Sequence, residues 1–216
     1  MKKEFDHYIS LGDNCEAGFQ FWRINYNESS IFRFVVVDSD KLISLIRSDF
    51  QDLFVKENLK PAEIDSMIRD TKTSVAFHSK LYSKLDPQSG RRHFRNDYDF
   101  DKIYAVEKSK VDYLVNKWRK LTSSSDRVLY FIKRNQFSSR EDAEMVLEGF
   151  QSCYPGHNFL ILYIQPRTLE EPSWGYEQLH NVYVDFLAPY ENSQKGADIN
   201  GWNKLFAQYP LKYNAL

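Results

Sequence analysis

The stretch "HYISLGDNCEAGFQFW", residues 7–22 of a 216-residue chain, decides how the rest is read. Its first half, with Phe5 just before it, is apolar at alternate and then consecutive positions and stops at Gly12, the pattern of a buried strand ending in a turn. Asp13 or Asn14 can then cap a helix through "CEAGFQFWRI" (15–24), which puts Cys15 in the first turn. A strand running straight into a helix, when repeated along a chain, points to an α/β fold. Two readings of Cys15 follow. It is a nucleophile presented at a helix N-terminus, or it is a small apolar residue packed beneath a turn, as many unpaired cysteines are.

Outward from there, "SIFRFVVVD" (30–38) is rich in β-branched residues and reads as a second strand. Ser39 caps the helix that follows, with Leu42, Ile43 and Ile46 on one face. Between Phe50 and Asp70 an amphipathic spacing broken at Pro61 predicts short helices at "FQDLF" (50–54) and "AEIDSMI" (62–68). "TSVAFHS" (73–79) is a strand carrying His78 near its C-terminal end, and "KLDPQSGRRHFRND" (84–97) is a loop long enough to act as a lid. Ile103, Val111, Leu114, Val115, Trp118 and Leu121 predict a helix over 101–121. "RVLYFIK" (127–133) is the next strand, and Ser138 with Glu141 makes a capping box for a helix whose Ala143, Val146, Leu147 and Phe150 face inward. After the turn "YPGH" come the strands "NFLILYIQ" (158–165) and "HNVYVDFLAP" (180–189), then a helix at "GWNKLFAQY" (201–209). Strand and helix alternate throughout. The expected fold is one domain over 1–216, a three-layer α/β architecture with a parallel or mixed central sheet and helices on both faces.

A formal net charge of −1 excludes a simple electrostatic partner such as nucleic acid or an anionic membrane, because phosphate contacts need a basic excess. The basic "SGRRHFR" (89–95) is followed at once by the acidic "NDYDFD" (96–101). The chain starts with charged residues rather than an apolar leader, and no apolar run approaches the ~18 residues of a membrane span, so it reads as soluble and cytoplasmic. Cys15 and Cys153 are expected as free thiols in a reducing compartment. The five histidines, His7, His78, His93, His157 and His180, form no metal-ligand spacing, and no metal or other cofactor is expected. Aromatic residues make up 16% of the chain, which suits a sugar or nucleotide cleft and equally suits an ordinary core with wet edges.

In sheets of this kind ligands bind beyond the carboxyl ends of the strands. Gly12, Asp13 and Asn14 occupy the loop there and are candidate substrate-binding residues around Cys15. Unpaired N–H groups at a helix N-terminus favour a thiolate and can hold a developing oxyanion, as acyl transfer needs. Esterases of the GDSL or SGNH type also follow strand one with a Gly-Asp-nucleophile loop. Here that nucleophilic position is Asn14, which cannot serve, and "GADINGW" (196–202) holds an acid but no histidine, so the likeness is one of fold only.

"YISLGDNCEAGFQFWRIN" (8–25), "SSIFRF" (29–34) with "DKLISLIRSDFQDLF" (40–54) behind it, "VAFHS" (75–79) and "RVLYFIKR" (127–134) resemble the bacterial family of putative papain-like cysteine peptidases. That family shows an SLGxxC start, a PFDW-like element, an isolated histidine and a later apolar strand. The likeness covers roughly the first eighty residues well and the rest thinly. The resemblance implies Cys15 as nucleophile and His78 as general base or ion-pair partner, with a papain-like α+β arrangement as the alternative fold. His180 could take the role of His78, whereas His93 reads as solvated. Asp13 and Asp38 are candidate orienting acids. One departure stands out: where the family has an aspartate, this chain has Arg33, which either binds an anionic substrate group or marks a site that has lost its hydrolytic constellation.

The expected function is a cysteine-dependent hydrolase or acyl transferase acting on a peptide, an acylated glycan or another small molecule. Members of the resembled family are often linked to surface-polysaccharide synthesis. The competing reading is a non-catalytic sugar-phosphate or nucleotide-sugar binding domain, with Arg33 and "GRRHFR" (90–95) on phosphate. Glycosyl transfer has only "DSD" (38–40) as a metal motif, and Ser39 and Asp40 belong to a helix start.

Overall fold

The computed structural model describes residues 4–12, 14–94, 99–133, 139–188 and 194–212. In chain order the elements are β1 (His7–Ser10), α1 (Glu16–Arg23), β2 (Val35–Val36), α2 (Ser39–Arg47), β3 (Leu59–Pro61), β4 (Met67–Asp70), β5 (Ala76–His78), β6 (Ser83–Leu85) and β7 (Arg92–Phe94). Then come α3 (Phe100–Thr122), β8 (Val128–Lys133), α4 (Arg140–Cys153), β9 (Phe159–Pro166), β10 (Leu179–Val184) and α5 (Ile199–Gln208). The central sheet is parallel, in the order β1-β8-β9-β10.

Both faces of that sheet are covered, which explains why β8 and β9 read as unbroken apolar runs rather than alternating ones. From β8, Leu129 and Phe131 point to one side, where Ala17 and Phe21 of α1 and Trp202, Leu205 and Phe206 of α5 pack against them. Val128, Tyr130 and Ile132 point to the other, into a larger cluster with Leu42 and Ile46 of α2, Val111 and Trp118 of α3, and Val146 and Phe150 of α4. The result is the three-layer α/β architecture, and the separate α+β arrangement is not adopted. On α3 the buried positions are Glu107, Val111, Val115, Trp118 and Thr122, a single stripe at helical spacing. Asp99 caps this helix by accepting from the Lys102 N–H at 3.1 Å.

The alternation fails between β1 and α3. Of the expected second strand, Val35 and Val36 are the paired residues, and they join an antiparallel sheet of order β2-β5-β4-β3 rather than the central one. The helix expected at 50–54 is a series of tight turns, with Asp49, Phe50, Asp52 and Phe54 all at positive φ. "AEIDSMI" ends in β4, which pairs with β3 and β5. Apolar residues three or four apart in successive turns mimic a helical stripe. The expected lid at 84–97 begins as a hairpin, β6 with β7, and residues 95–97 lie outside the described set. Asp38 rather than Ser39 is the N-cap of α2, and it makes no side-chain cap bond. Ser39 is buried and donates to Asp142 of α4 at 2.9 Å. Helix α4 is capped by Ser139, which accepts from the Asp142 N–H at 3.2 Å, and Ser138 is outside the described residues. No helix among the described residues is long and apolar enough to cross a membrane.

His157, after the Pro-Gly turn, is a core histidine. It is 5% exposed, bonded through Nε2 to the Tyr130 hydroxyl at 2.8 Å, and its Nδ1 has no partner. Burial pushes its pKa down to about 4. A histidine depressed in the folded state leaves the unfolded chain binding more protons between about pH 6.5 and 4, so stability is full above that window and falls through it. By about pH 4.5 the loss amounts to roughly 2–3 kcal/mol. Urea midpoints at neutral and acid pH should therefore fall further for the wild type than for His157→Gln; equal falls would exclude this source.

Candidate active site

The turn after β1 is built by its glycine. Leu11 N–H still bonds Phe131 O at 2.9 Å, extending the pairing with β8, and Gly12 then reverses the chain at φ +90°. A Cβ there would lie 2.8 Å from Val37 Cγ1, so both conformation and space demand glycine. Gly12 and Asn14 are buried and shape the turn: the Gly12 N–H donates to Ser10 Oγ at 3.3 Å, and Asn14 Oδ1 accepts from the Glu16 N–H at 2.9 Å. Asp13 lies outside the described residues. Cys15 is the N-cap of α1, and its carbonyl accepts the first helical bond from Phe19 N–H at 3.0 Å.

His78 ends β5, whose antiparallel pairing with β4 carries it toward the α1 N-terminus. The two side chains meet, with Cys15 Sγ 3.6 Å from His78 Nε2. On the other side of the ring, Nδ1 is 3.4 Å from Ser66 Oγ. With the thiol donating to Nε2, the ring proton is on Nδ1 and the Ser66 hydroxyl accepts it. Ser66 is itself held at φ +69°, and its carbonyl accepts from the Ser79 N–H at 3.2 Å. The next residues add a second tie: Glu107 of α3 accepts from Ser79 Oγ at 2.9 Å and from Lys80 N–H at 3.2 Å. Nothing in the residue pattern singled out Ser66 or Glu107, because neither belongs to a local motif.

The electrostatics differ from the expectation of a helix-activated thiolate. Burial pushes the Cys15 thiol up to about 11, and burial also pushes His78 below its ordinary 6.5. Both shifts favour the uncharged forms, a thiol and a neutral imidazole. Cys15 and Cys153 are both free.

Beneath the turn lies a buried ion pair. Glu16 and Lys133 are 0% and 1% exposed and 3.0 Å apart. Glu16 also accepts from Trp202 Nε1 at 2.8 Å and from Ala188 N–H at 3.2 Å, while Lys133 donates to Ala188 O at 3.1 Å. The residue that follows Cys15 is thus anchored to β8, to the segment after β10 and to α5.

Arg33 is 3% exposed. Its terminal nitrogens donate to Gly18 O at 3.0 Å, Tyr26 O at 2.9 Å and Glu28 O at 2.6 Å, and the guanidinium lies 5.4 Å from the ring centres of both Trp22 and Phe34. Arg33 is a staple between α1 and the 26–34 segment, not an open anion receptor. Gly18 permits this approach, since a Cβ there would sit 2.6 Å from Phe34. Of the other histidines, His180 bonds the Tyr209 hydroxyl at 2.9 Å, His7 lies between Glu28 and Asp126, and His93 is exposed on β7. Asp38 is exposed at the start of α2. Among the described residues no group of three or more His, Cys, Asp or Glu could hold a metal ion.

A cavity of about 330 Å³ opens beside the pair, with His78 in its wall. No curated protein and no solved structure matches the chain. Residues 6–165 match the family described as putative papain-like cysteine peptidase, a span that runs from β1 into β9 and contains both Cys15 and His78. With most of its length inside that match, the chain belongs to the putative papain-like cysteine peptidase family.

Proposed function

We propose that the chain is a cysteine-dependent acyl hydrolase or acyl transferase with Cys15 as nucleophile and His78 as general base. The observation that carries this reading is the 3.6 Å approach of Sγ to Nε2, within reach of direct proton transfer. Sγ attacks the acyl carbon as its proton passes to Nε2; the S–C bond forms and the carbonyl π pair moves onto oxygen. That charge develops beside the first turn of α1, where Ala17 and Gly18, as second and third helical residues, have N–H groups without intrahelical acceptors. The Glu16 N–H is already taken by Asn14. Collapse expels the alcohol or amine, which leaves with the proton from Nε2, and a thioester stays on Cys15. Water or a second alcohol then attacks it with His78 again as base. Ser66 acts as a positioning residue, holding the ring through its Nδ1 side where other sites use a carboxylate.

A peptide and an acylated glycan both present the carbonyl that this chemistry requires. The phosphate-binding alternative relied on Arg33 and the 90–95 segment. The terminal nitrogens of Arg33 are bonded to carbonyls, and Arg92 is paired with Asp65.

Incubation with a 4-nitrophenyl ester, followed by intact and peptide mass analysis, tests the step. One acyl group on Cys15, released by hydroxylamine and absent from Cys15→Ser, is the expected result. A Cys15 that stays unmodified under excess ester at neutral pH sinks the proposal.

A further inference from the structure

We infer that the cavity beside His78 is the acyl-side specificity pocket and takes an uncharged apolar group, aromatic or alkyl, carried by the acyl donor. The inference rests on the cysteine reading above and adds the substrate class. Trp22, Phe34, Phe77, Val111 and Leu114 supply its apolar wall, and His78 forms part of the same wall. Cys15 itself is outside that wall, and His78, whose Nε2 is 3.6 Å from Sγ, is the side chain that joins a group seated there to a carbonyl at Cys15.

The charges at the rim argue against an anionic or cationic occupant. Glu107 and Lys110 are 2.6 Å apart and neutralise each other, and Glu107 is further bonded to Ser79 and Lys80. Arg33 also borders the cavity, but its terminal nitrogens are on Gly18, Tyr26 and Glu28 carbonyls. What remains for a ligand is an uncharged wall, mostly hydrocarbon, with Asn27, Ser29 and Ser30 as its neutral polar part. Trp22 is 48% exposed and packs on Phe34 with ring centres 4.7 Å apart, an apolar edge left uncovered by the rest of the fold. At about 330 Å³ the space is at the small end of ligand cavities and suits one such group rather than a polymer.

The test compares two alkylating agents on the full chain, N-methyl-iodoacetamide and N-(2-phenylethyl)-iodoacetamide. In each case Sγ displaces iodide, and its proton leaves through His78 or solvent. Peptide mass analysis reads the rates at Cys15 and at Cys153 together, so Cys153 corrects for the intrinsic reactivity of the reagents. The phenylethyl reagent should label Cys15 about tenfold or more faster than the methyl reagent, with saturation, while Cys153 shows little difference. Leu114→Trp, which fills the cavity, should bring the Cys15 ratio down to that of Cys153. Where that variant misfolds, competition of the wild-type labelling by phenylethanol makes the same measurement. Equal ratios at the two cysteines, with Cys15 still reacting in a His78-dependent way, would overturn the pocket and leave the nucleophile intact. A preference that survives both Leu114→Trp and competition would overturn the assignment to this cavity. A Cys15 inert to both reagents until the chain unfolds would overturn the nucleophile and the pocket with it.

Discussion

His78→Ala is expected to slow alkylation of Cys15 by iodoacetamide at neutral pH by about a hundredfold or more, the usual contribution of a positioned general base. The physical argument is the uncharged resting pair. A thiol pushed up to about 11 by burial offers almost no thiolate at neutral pH, so the wild type reacts through an imidazole that accepts the proton as the S–C bond forms. Its rate should rise as pH climbs through the His78 pKa, which burial holds below 6.5, and then level. The alanine variant lacks that route. Its rate should climb with hydroxide across the neutral range, approaching the wild-type value only near the thiol pKa. Stopped-time labelling with mass analysis separates Cys15 from Cys153. Superimposable pH profiles would mean that the 3.6 Å contact carries no chemistry. Ser66→Ala should give a smaller loss of the same shape, with the plateau lowered rather than abolished, because it frees the ring without removing it.

Lys133→Met is expected to cost about 3–5 kcal/mol, since it leaves the Glu16 carboxylate charged, buried and unpaired. For a chain of this size that is a fall in Tm of roughly 6–20 °C. The double variant Glu16→Gln with Lys133→Met should recover part of the loss. Trp202 Nε1 and Ala188 N–H donate to separate oxygens of Glu16, so a glutamine keeps one of the two bonds and gives up the other, but no charge remains to be compensated. The two substitutions are therefore strongly non-additive. The same single variant should also depress Cys15 labelling in the folded protein, because Glu16 is the first residue of α1 and its anchor sets where Cys15 stands. A loss under about 1 kcal/mol for Lys133→Met would show that water reaches the carboxylate.

The central sheet was legible because its strands declare themselves. The unbroken apolar runs at 128–132 and 159–164 have no other stable use than a strand covered on both faces, and α3 and α4 carry clean stripes. The segment 50–70 was not legible: four non-glycine residues at positive φ, Asp49, Phe50, Asp52 and Phe54, place apolar side chains inward at spacings that a helix also produces. For the site, the run into Gly12 placed Cys15 at the start of α1, and "VAFHS" placed His78 at a strand end. What one-dimensional reading missed is everything held by distant partners. Ser66 is an unremarkable serine until β4 pairs with β5. Glu16 and Lys133 are far apart in sequence and meet only because β1 and β8 are neighbours. Arg33 read as an open cation because its carbonyl acceptors belong to no motif, and the thiol read as helix-activated because burial is invisible in a turn sequence.

The seat of Cys15 also has an order of assembly. The groups that hold Glu16 are Lys133, Ala188 and Trp202, all far downstream of it, and β1 is further tied through Phe5 to Pro210 and Lys212. Pairing β1 with β8 closes a loop that spans the whole antiparallel sheet and α3, a contact whose entropy must be paid before it stabilises anything. During synthesis the thiol therefore waits, without its foundation, until residues beyond 200 have emerged. A chain cut short before α5 keeps both Cys15 and His78 yet lacks the Trp202 anchor of Glu16, so the placement of Cys15 is a property of the folded whole rather than of the first eighty residues that contain it.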